Sequence, residues 1–253
     1  MNSKSNPLIS IITSSYNAAN TIEATIQSIL NQTYVNIEYI VIDGNSSDGT
    51  ADIIAKYANH LSYWISEDDN GIYHAWNKGL KQAKGDWIGF LGADDIYYPD
   101  AIQNYVELIS KSSNDLDFVS SRCEYVDKDL NFIKVLGQRW KWTKVRDRMV
   151  CAHCGALHSK NLFIKYGIFD ESFKSAGDYA LLLKAGPSLK ADFLNKITLK
   201  MREGGISSSQ QNINIYTEAL AAKIRSKNVP YLLAYLRFFM GLCMYNLRRI
   251  LQN

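Results

Sequence analysis

The sequence predicts an α/β fold built on a doubly wound, mainly parallel sheet, and three observations support this class. Short β-branched apolar runs alternate with amphipathic helical segments over the first hundred residues. The chain has 253 residues, of which 47% are hydrophobic, and can bury a full core as one domain. Three apolar runs lead into polar side chains at Ser15, Asp43 and Asp94. Because ligands of such sheets bind beyond the carboxyl ends of the strands, we expect these three ends to form one site.

The predicted elements follow one another without long interruptions. Residues 8–14 form a first strand, and Asn20 with Glu23 three residues later predicts the N-cap of the first helix. A second strand over residues 37–42 ends at Asp43. The pattern then repeats with a helix near 50–59, a strand over 61–65, a helix near 71–84 and a strand that stops at Asp94.

Asp94 and Asp95 are adjacent carboxylates at the end of an apolar strand. Aspartate is a poor strand residue, and two neighbouring negative charges repel unless a cation or a donor lies between them. The pair therefore indicates a site for Mg²⁺ or Mn²⁺ carrying a diphosphate. The alternative is a polar turn that leads into a helix opened by Pro99, with aspartate as a cap.

Four segments in the first hundred residues resemble, in order and spacing, the signatures of family 2 inverting glycosyltransferases with the GT-A fold. They are residues 13–17, 41–50, 70–79 and 91–95. The resemblance continues at 167–173 and 176–183, so that it covers roughly residues 7–205. It implies transfer of a sugar from a nucleotide-diphospho-sugar, with UDP favoured because the family uses it most often.

The resemblance also implies contacts to the nucleotide base. Asp43 matches the acid that accepts the N3–H of a uracil ring in the family. Thr13, Ser15 and Tyr16 lie where the first loop would cradle the base. Ordinary turn chemistry is the alternative for these loop residues.

The metal motif departs from the commonest form of the family. Relatives usually carry an acid two residues before Asp94, and this chain has Gly92 there. The contact of that acid with the ribose must be lost or supplied by water or a neighbour. Asp94 is the preferred ligand of Mg²⁺ or Mn²⁺, with Asp95 beside it and phosphate oxygens and waters completing the coordination.

Four further residues are candidates for the diphosphate or acceptor side. Asn77 and Lys78 are predicted to line the phosphates, although Lys78 also suits an ordinary solvated lysine. Relatives often carry an acid at His74, which here either donates to the diphosphate or lies on the helix surface. His153 is a candidate contact between the metal loop and the catalytic residue, whereas His158 is expected to be structural.

Asp178 matches the catalytic aspartate of the family. That residue takes the proton of the acceptor hydroxyl as the oxygen attacks the anomeric carbon. Direct displacement inverts the stereochemistry and requires no covalent intermediate. Asp178 also suits a helix N-cap ahead of Tyr179, and the two roles can coexist.

The resemblance favours a growing glycan as acceptor, such as a lipid-linked oligosaccharide of O-antigen, capsule or exopolysaccharide synthesis. A nucleotidyltransferase or a non-catalytic sugar-nucleotide binder could use the same sheet and acidic loop. A nucleotidyltransferase would show a glycine-rich, basic phosphate loop near the first strand, where this chain has residues 15–19. A binder would not need Asp178.

Composition indicates a cytoplasmic enzyme without a nucleic-acid partner. The net charge is +3, which suits an anionic nucleotide or an anionic bilayer. Residues 1–6 are polar and lack the apolar core of a signal peptide. The four irregularly spaced cysteines are expected to be reduced, and Cys151 with Cys154 lacks the second pair that a structural zinc site needs. The basic, aromatic stretch 140–148 is expected to form a loop over the donor or acceptor.

We predict a catalytic domain over residues 1–205, with a nucleotide-sugar-binding half (1–110) and an acceptor-side half (111–205), followed by a helical tail (206–253). After Pro230 the tail is amphipathic and basic, and too short and charged to span a bilayer. Its apolar stripe packs either on protein or on an anionic membrane at the inner face of the cell membrane. The stripe consists of Leu232, Leu233, Leu236, Phe239, Met240, Cys243, Leu247, Ile250 and Leu251, with Arg237, Arg248 and Arg249 outside it.

Overall fold

The computed structural model describes residues 6–112, 115–205 and 214–251, with side chains described as far as residue 246. Its strands are β1 (Ile9–Ser15), β2 (Ile37–Asp43), β3 (Tyr63–Ser66), β4 (Trp87–Gly92), β5 (Ile96–Tyr97), β6 (Phe118–Val126), β7 (Phe132–Leu136), β8 (Ala156–Ser159) and β9 (Ala191–Arg202). Its α-helices are α1 (Ile22–Leu30), α2 (Thr50–Lys56), α3 (Ile72–Gln82), α4 (Ala101–Lys111), α5 (Trp142–Val145), α6 (Lys160–Tyr166), α7 (Gly177–Ala185), α8 (Asn214–Ser226) and α9 (Tyr231–Leu251).

All nine strands belong to one sheet in the order β3-β2-β1-β4-β8-β6-β9-β5, with β7 paired to β6. Strands β3, β2, β1 and β4 are parallel, as expected for strands that alternate with helices. Strand β8 is antiparallel to both β4 and β6, and β9 returns parallel to β6. The predicted α/β class and the parallel first half of the sheet are confirmed, while the second half of the sheet is mixed.

The sheet divides the core into two layers because successive strand side chains point to opposite faces. On one face Ile12 and Ile40 pack with helices α3, α6 and α7. On the other face Ile9 and Ile11 pack with α1 and α4. Both faces of the central strands are buried, which explains why these strands read as continuous apolar runs rather than alternating ones.

Two local features fix how the first helices meet the sheet. A Cβ atom at Gly79 would lie 2.5 Å from Cγ2 of Ile12, so glycine is what allows α3 to approach β1 closely. The predicted N-cap of α1 was wrong by one residue. The helix begins at Ile22 with Thr21 at the N-cap position, and no side chain accepts a hydrogen bond there.

The two C-terminal helices share the core of the catalytic region. Ala222 of α8 and Ala234 of α9 are fully buried in the same cluster as helix α7. The Glu218 side chain of α8 binds the chain just before α7, as described below. The boundary at residue 205 stays a prediction, because the tail packs directly on the predicted catalytic domain. Within the described residues, no helix is both long enough and apolar enough to cross a bilayer.

Helix α9 presents an apolar face to solvent that differs from the predicted stripe. Leu233 is half-buried against the core, and Arg237 lies on the packed side, where it binds the Asp147 carboxylate at 2.7 Å. The predicted side chains of residues 247–251, including Arg248 and Arg249, lie outside the described side chains. The exposed large apolar side chains of α9 are Tyr231, Leu232, Tyr235, Leu236, Phe239, Met240 and Met244.

Candidate active site

The carboxyl ends of β1, β2 and β3 lie level with one another. In the sheet register Ser15 pairs with Asp43, and Asp43 pairs with Ser66. The Asp43 carboxylate is fully buried and accepts hydrogen bonds from the hydroxyls of Ser15 at 2.8 Å and Ser66 at 2.6 Å. It accepts two more from Ser46, from the backbone N–H at 2.9 Å and the hydroxyl at 2.6 Å. Since hydroxyls can rotate to other acceptors, a ligand N–H can replace one of these donors.

Tyr16 and Asp69 both lie close to Gly44, the residue after Asp43. Tyr16 is 71% exposed directly after β1. A Cβ atom at Gly44 would lie 2.6 Å from Oδ2 of Asp69 and 3.4 Å from the Tyr16 ring. Glycine at position 44 therefore lets the loop after β3 approach the end of β2. The Tyr16 ring and the Asp69 carboxylate lie on either side of the Gly44 backbone.

Two predicted nucleotide contacts lie inside the protein. Thr13 is fully buried within β1, and its hydroxyl accepts a hydrogen bond from the Tyr39 hydroxyl at 3.1 Å. Asn77 is 1% exposed and donates to the Phe169 carbonyl at 2.9 Å and the Glu171 carboxylate at 2.8 Å. Both side chains bind protein partners in this structure, and their contacts with a nucleotide stay predictions.

Lys78 and His74 shape the acidic loop between β3 and α3. The Lys78 ammonium donates to the Asp68 carbonyl at 2.7 Å and pairs with the Glu67 carboxylate at 2.9 Å. His74 Nδ1 accepts the backbone N–H of Asn70 at 3.0 Å. Both side chains are engaged in holding this loop, which carries Asp69 to Gly44.

Asp94 and Asp95 occupy a tight turn after β4 and differ in environment. Asp95 is 5% exposed, and its carboxylate accepts the backbone N–H of Arg202 at 3.1 Å. Burial and the neighbouring Asp94 charge raise the pKa of Asp95 to about 7. Asp94 is more accessible; burial raises its pKa as well, and the Arg202 guanidinium partly offsets this. A Cβ atom at Gly92 would lie 2.9 Å from Asp94 Oδ1 and 3.1 Å from Asp95 Oδ2.

Arg202 was not predicted as a site residue. It ends β9, and its Nε donates to the Asp94 carbonyl at 3.2 Å. Another guanidinium nitrogen donates to the Lys128 carbonyl. The side chain therefore brings one positive charge against the acidic turn and helps to fix the backbone of Asp94.

Asp178 lies in the first turn of α7, with Ala176 at the N-cap position, so the predicted N-cap role was wrong. Its Oδ1 accepts a hydrogen bond from the Tyr73 hydroxyl of α3 at 3.1 Å. Burial raises the pKa of Asp178, and its hydrogen bonds partly offset this. A raised pKa brings a carboxylate closer to the range in which it accepts protons efficiently at neutral pH.

Glu218 of α8 holds the chain immediately before Asp178. One carboxylate oxygen accepts the N–H of Lys174 at 2.8 Å. The other accepts the N–H groups of Ser175 at 2.7 Å and Ala176 at 3.0 Å, and the Ser175 hydroxyl at 2.8 Å. These bonds satisfy backbone donors at the start of α7, much as a capping side chain would. The C-terminal region thus positions the predicted base.

His153 lies in an aromatic cluster instead of the open site. Its ring stacks on Trp76 with centroids 4.8 Å apart and lies 4.9 Å from the ring of His158. Both ring nitrogens are buried, and neither has a hydrogen-bond partner among the described residues. Burial lowers the pKa of His153 to about 3 and that of His158 well below its ordinary value. His153 is therefore neutral in the folded protein, and its contact with the diphosphate or acceptor stays a prediction.

Replacement of His153 by Phe is expected to reduce the acid sensitivity of the fold. The folded-state pKa lies below the unfolded value of about 6.5, so the unfolded chain binds the proton first as the pH falls. The contribution of His153 to the unfolding free energy is therefore fully present above the unfolded pKa. It is lost as the pH falls from that value toward the folded pKa. Between pH 7 and pH 5, wild type should lose about 2 kcal/mol more unfolding free energy than the variant.

Urea unfolding of both proteins at the two pH values measures this difference. The comparison cancels the opposite contribution of Asp95, whose raised pKa stabilises the fold as the pH falls. An identical pH dependence in wild type and the His153→Phe variant would contradict the neutral, buried assignment.

Sequence reasoning missed several residues for different reasons. Asp69 stands in an acidic run directly before the 70–79 segment, and that run was a usable signal. Tyr73 stands within the same segment. Arg202 and Glu218 reach the site from more than 40 residues away in sequence, and no local pattern marks them.

The family model described as "Glycosyl transferase family 2" matches residues 10–173, which include Asp43 and Asp94. Asp178 lies just beyond the matched span. An uncharacterised glycosyltransferase of Rickettsia typhi is 33% identical over 217 residues, covering 82% of this chain and 68% of that protein. The chondroitin synthase of Escherichia coli is 30% identical over 217 residues, covering 84% of this chain and 31% of the synthase.

The fold has a counterpart among solved structures. TarS of Staphylococcus aureus, residues 1–349 in complex with UDP-GlcNAc, aligns with a TM-score of 0.72 at 19% identity, covering 92% of this chain and 71% of that one. At this identity the likeness shows the GT-A-like fold. The family match spans more than half of the chain, and the relative from Rickettsia typhi exceeds 30% identity over most of it. The chain therefore belongs to glycosyl transferase family 2 and is a glycosyltransferase.

Proposed function

We propose that this protein is an inverting glycosyltransferase that moves a sugar from a UDP-sugar to a hydroxyl of a growing glycan. The observation that carries the proposal is the half-buried Asp178 carboxylate, which has a raised pKa and is tied by Tyr73 to helix α3, which packs on β1 and β2. Ser15, Tyr16, Asp43 and Asp69 supply polar and aromatic groups for the nucleoside. TarS, which binds UDP-GlcNAc, and the chondroitin synthase support a UDP-sugar donor and a glycan acceptor.

In this mechanism Asp178 acts as general base. Its carboxylate takes the proton of the acceptor hydroxyl while the hydroxyl oxygen forms a bond to the anomeric carbon. The bond from that carbon to the diphosphate oxygen breaks, and its electron pair leaves with the nucleoside diphosphate. The Tyr73 hydrogen bond to Oδ1 orients the carboxylate that receives the proton.

Asp94 and Asp95 fit a divalent cation as a shared site with the donor. Among the described residues, no three His, Cys, Asp or Glu side chains form a group that could hold a metal by themselves. Mg²⁺ and Mn²⁺ suit such a site because they accept one or two carboxylates, with phosphate oxygens and waters in the other positions. Asp94 is the more accessible ligand, and Arg202 fixes its backbone. When bound, the cation supplies positive charge to the leaving diphosphate.

A panel of sugar nucleotides tests the donor assignment. With Mn²⁺ present, UDP-sugars are expected to raise the melting temperature, because a ligand at a hundred times its dissociation constant stabilises the fold by about 2.7 kcal/mol. GDP- and dTDP-sugars should stabilise less. Release of UDP from the stabilising donor is measured in the same samples. The proposal would be overturned if no UDP-sugar raised the melting temperature. It would also be overturned if the protein released diphosphate from a nucleoside triphosphate and a sugar phosphate.

We further propose peripheral attachment at the inner face of the cell membrane, with a lipid-linked acceptor. The exposed face of α9 carries Leu236 and Phe239 among seven large apolar side chains, which suits insertion at the headgroup boundary. Because Val229 and Ala234 belong to the protein core, substitution is a cleaner test than truncation.

The double variant Leu236→Glu/Phe239→Glu is expected to lose at least about tenfold in binding to phosphatidylglycerol vesicles, since each apolar side chain contributes roughly 1.5–3 kcal/mol when buried. Co-sedimentation measures it. Val35→Glu/Ile164→Glu is the matched control, because these side chains are 90% and 73% exposed elsewhere on the surface. Unchanged vesicle binding, or conversion of a dimer to a monomer by the test variant, would favour packing against a second subunit.

A further inference from the structure

The chain between β7 and β8 carries an unbalanced positive charge. We call residues 137–150 the crossover loop. It contains five cations and one carboxylate, Asp147, for a net charge of +4, whereas the whole chain has +3. The rest of the chain is therefore close to neutral, at −1. The five cations are Arg139, Lys141, Lys144, Arg146 and Arg148.

Few protein carboxylates offset these charges. Arg139 pairs with Asp192 at 3.1 Å across the edge of the sheet, and its side chain is still 60% exposed. The Asp147 carboxylate is engaged by Arg237 of α9 at 2.7 Å, and its carbonyl accepts from Lys223. In the part of the chain that the structure describes, no carboxylate lies within ion-pair distance of Lys141, Lys144 or Arg148. Their charge therefore faces solvent.

The first part of the crossover loop borders a groove of about 330 Å³. Gly137 has φ +92°, and a Cβ atom there would lie 2.2 Å from the Ser121 carbonyl oxygen, so only glycine permits this turn over β6. The groove combines guanidinium and amide groups with one aromatic ring, a mixture that suits the carboxylates and hydroxyls of a sugar chain. It is lined by Arg122, Gly137, Gln138, Arg139, Phe193 and Asn195.

The crossover loop runs from the groove to the helix that carries Asp178. The Cys151 thiol lies 3.7 Å from the Gln138 carbonyl oxygen. Farther along the loop, the Tyr179 hydroxyl, one residue after Asp178, donates to the Val145 carbonyl at 2.6 Å. The crossover loop that borders the groove thus contacts the first turn of α7, which carries Asp178.

We propose that the groove and the crossover loop bind the anionic groups of an acidic acceptor glycan, with Arg122 and Arg139 as the principal contacts. The inference rests on the proposed function and names its acceptor class. The carboxylates of uronic acids and the phosphates of phosphodiesters are both anions whose oxygens accept hydrogen bonds from guanidinium groups. A bilayer is flat, and its headgroups contact exposed protein surfaces. The groove is concave and therefore favours a glycan chain over lipid headgroups.

Calorimetric binding tests this proposal on the full chain. The probes are tetragalacturonate for carboxylates, a glycerol-phosphate oligomer for phosphodiesters and maltotetraose as the neutral control. We expect at least one acidic probe to bind, with affinity that falls as salt rises, and maltotetraose not to bind. Arg122→Gln/Arg139→Gln should weaken the acidic probe by about tenfold or more. Lys56→Gln/Lys111→Gln removes the same charge from exposed sites elsewhere and should change binding less than about twofold.

The outcomes separate this proposal from the proposed function. UDP-sugars should raise the melting temperature equally in wild type and in both double variants. A failure of the donor assignment would therefore appear in the melting temperatures and not in the glycan-binding measurements. The acidic-glycan proposal is overturned by absence of acidic-probe binding, by equal binding of maltotetraose, or by equal losses in the two double variants. Arginine-dependent binding of phosphatidylglycerol vesicles or single-stranded RNA without binding of the acidic oligosaccharides would also overturn it.

Discussion

Asp178→Asn is expected to lower the rate of sugar transfer by about 10²–10⁴-fold while donor affinity stays within about twofold, the range that general-base catalysis supplies. Asparagine keeps an oxygen that can accept the Tyr73 hydroxyl, so the local geometry is preserved. It cannot take a proton from the acceptor. Transfer or hydrolysis of a radiolabelled UDP-sugar measures the rate, and calorimetry measures donor binding.

Tyr73→Phe is the matched control because it removes the hydrogen bond and leaves the carboxylate. That bond lowers the pKa of Asp178, so its loss should raise the pKa and move the acid limb of the pH–rate profile to higher pH. The maximal rate should fall far less than in Asp178→Asn. Near-normal turnover of Asp178→Asn would rule out its assignment as the base. A large loss of donor affinity would instead assign it to binding.

Asp94→Asn is expected to weaken donor binding in Mn²⁺ by about 10–100-fold, as for loss of a charge-assisted contact of 1.5–3 kcal/mol. An excess of EDTA should abolish transfer by wild type, and added Mn²⁺ should restore it. Donor affinity is measured by calorimetry with and without the metal. In the variant, the difference between these two affinities should largely disappear.

Asp95→Asn provides the contrast within the same turn. Asp95 is buried and accepts the Arg202 backbone N–H, a bond that asparagine can also accept. We therefore expect a smaller loss of donor affinity in Asp95→Asn than in Asp94→Asn. Full activity of wild type in excess EDTA would count decisively against the metal assignment. Equal effects of the two substitutions would indicate that both carboxylates hold the cation.

The first half of the fold could be predicted from the sequence because its signals are local. Alternating strand and helix patterns through Asp94 fix the parallel half of the sheet, and polar residues mark where the strands end. In parallel strands those ends meet at one edge, so Ser15 and Asp43 could be brought together without a structure. Thr13 is buried more deeply than its place in the sequence suggested. It shares a face with Ser15 but lies two residues farther into the sheet, roughly 6.6 Å from the edge.

The sequence alone determined the α/β class, the acidic turn at Asp94 and the candidacy of Asp178. Tertiary structure decided which polar side chains remain accessible, because burial depends on what packs over a residue from distant parts of the chain. His153 is enclosed by aromatic rings from four other segments, and Arg237 turns inward to meet Asp147. Glu218 reaches the chain before α7 only because α8 packs against α7. Such contacts join residues whose local sequence carries no trace of the partner.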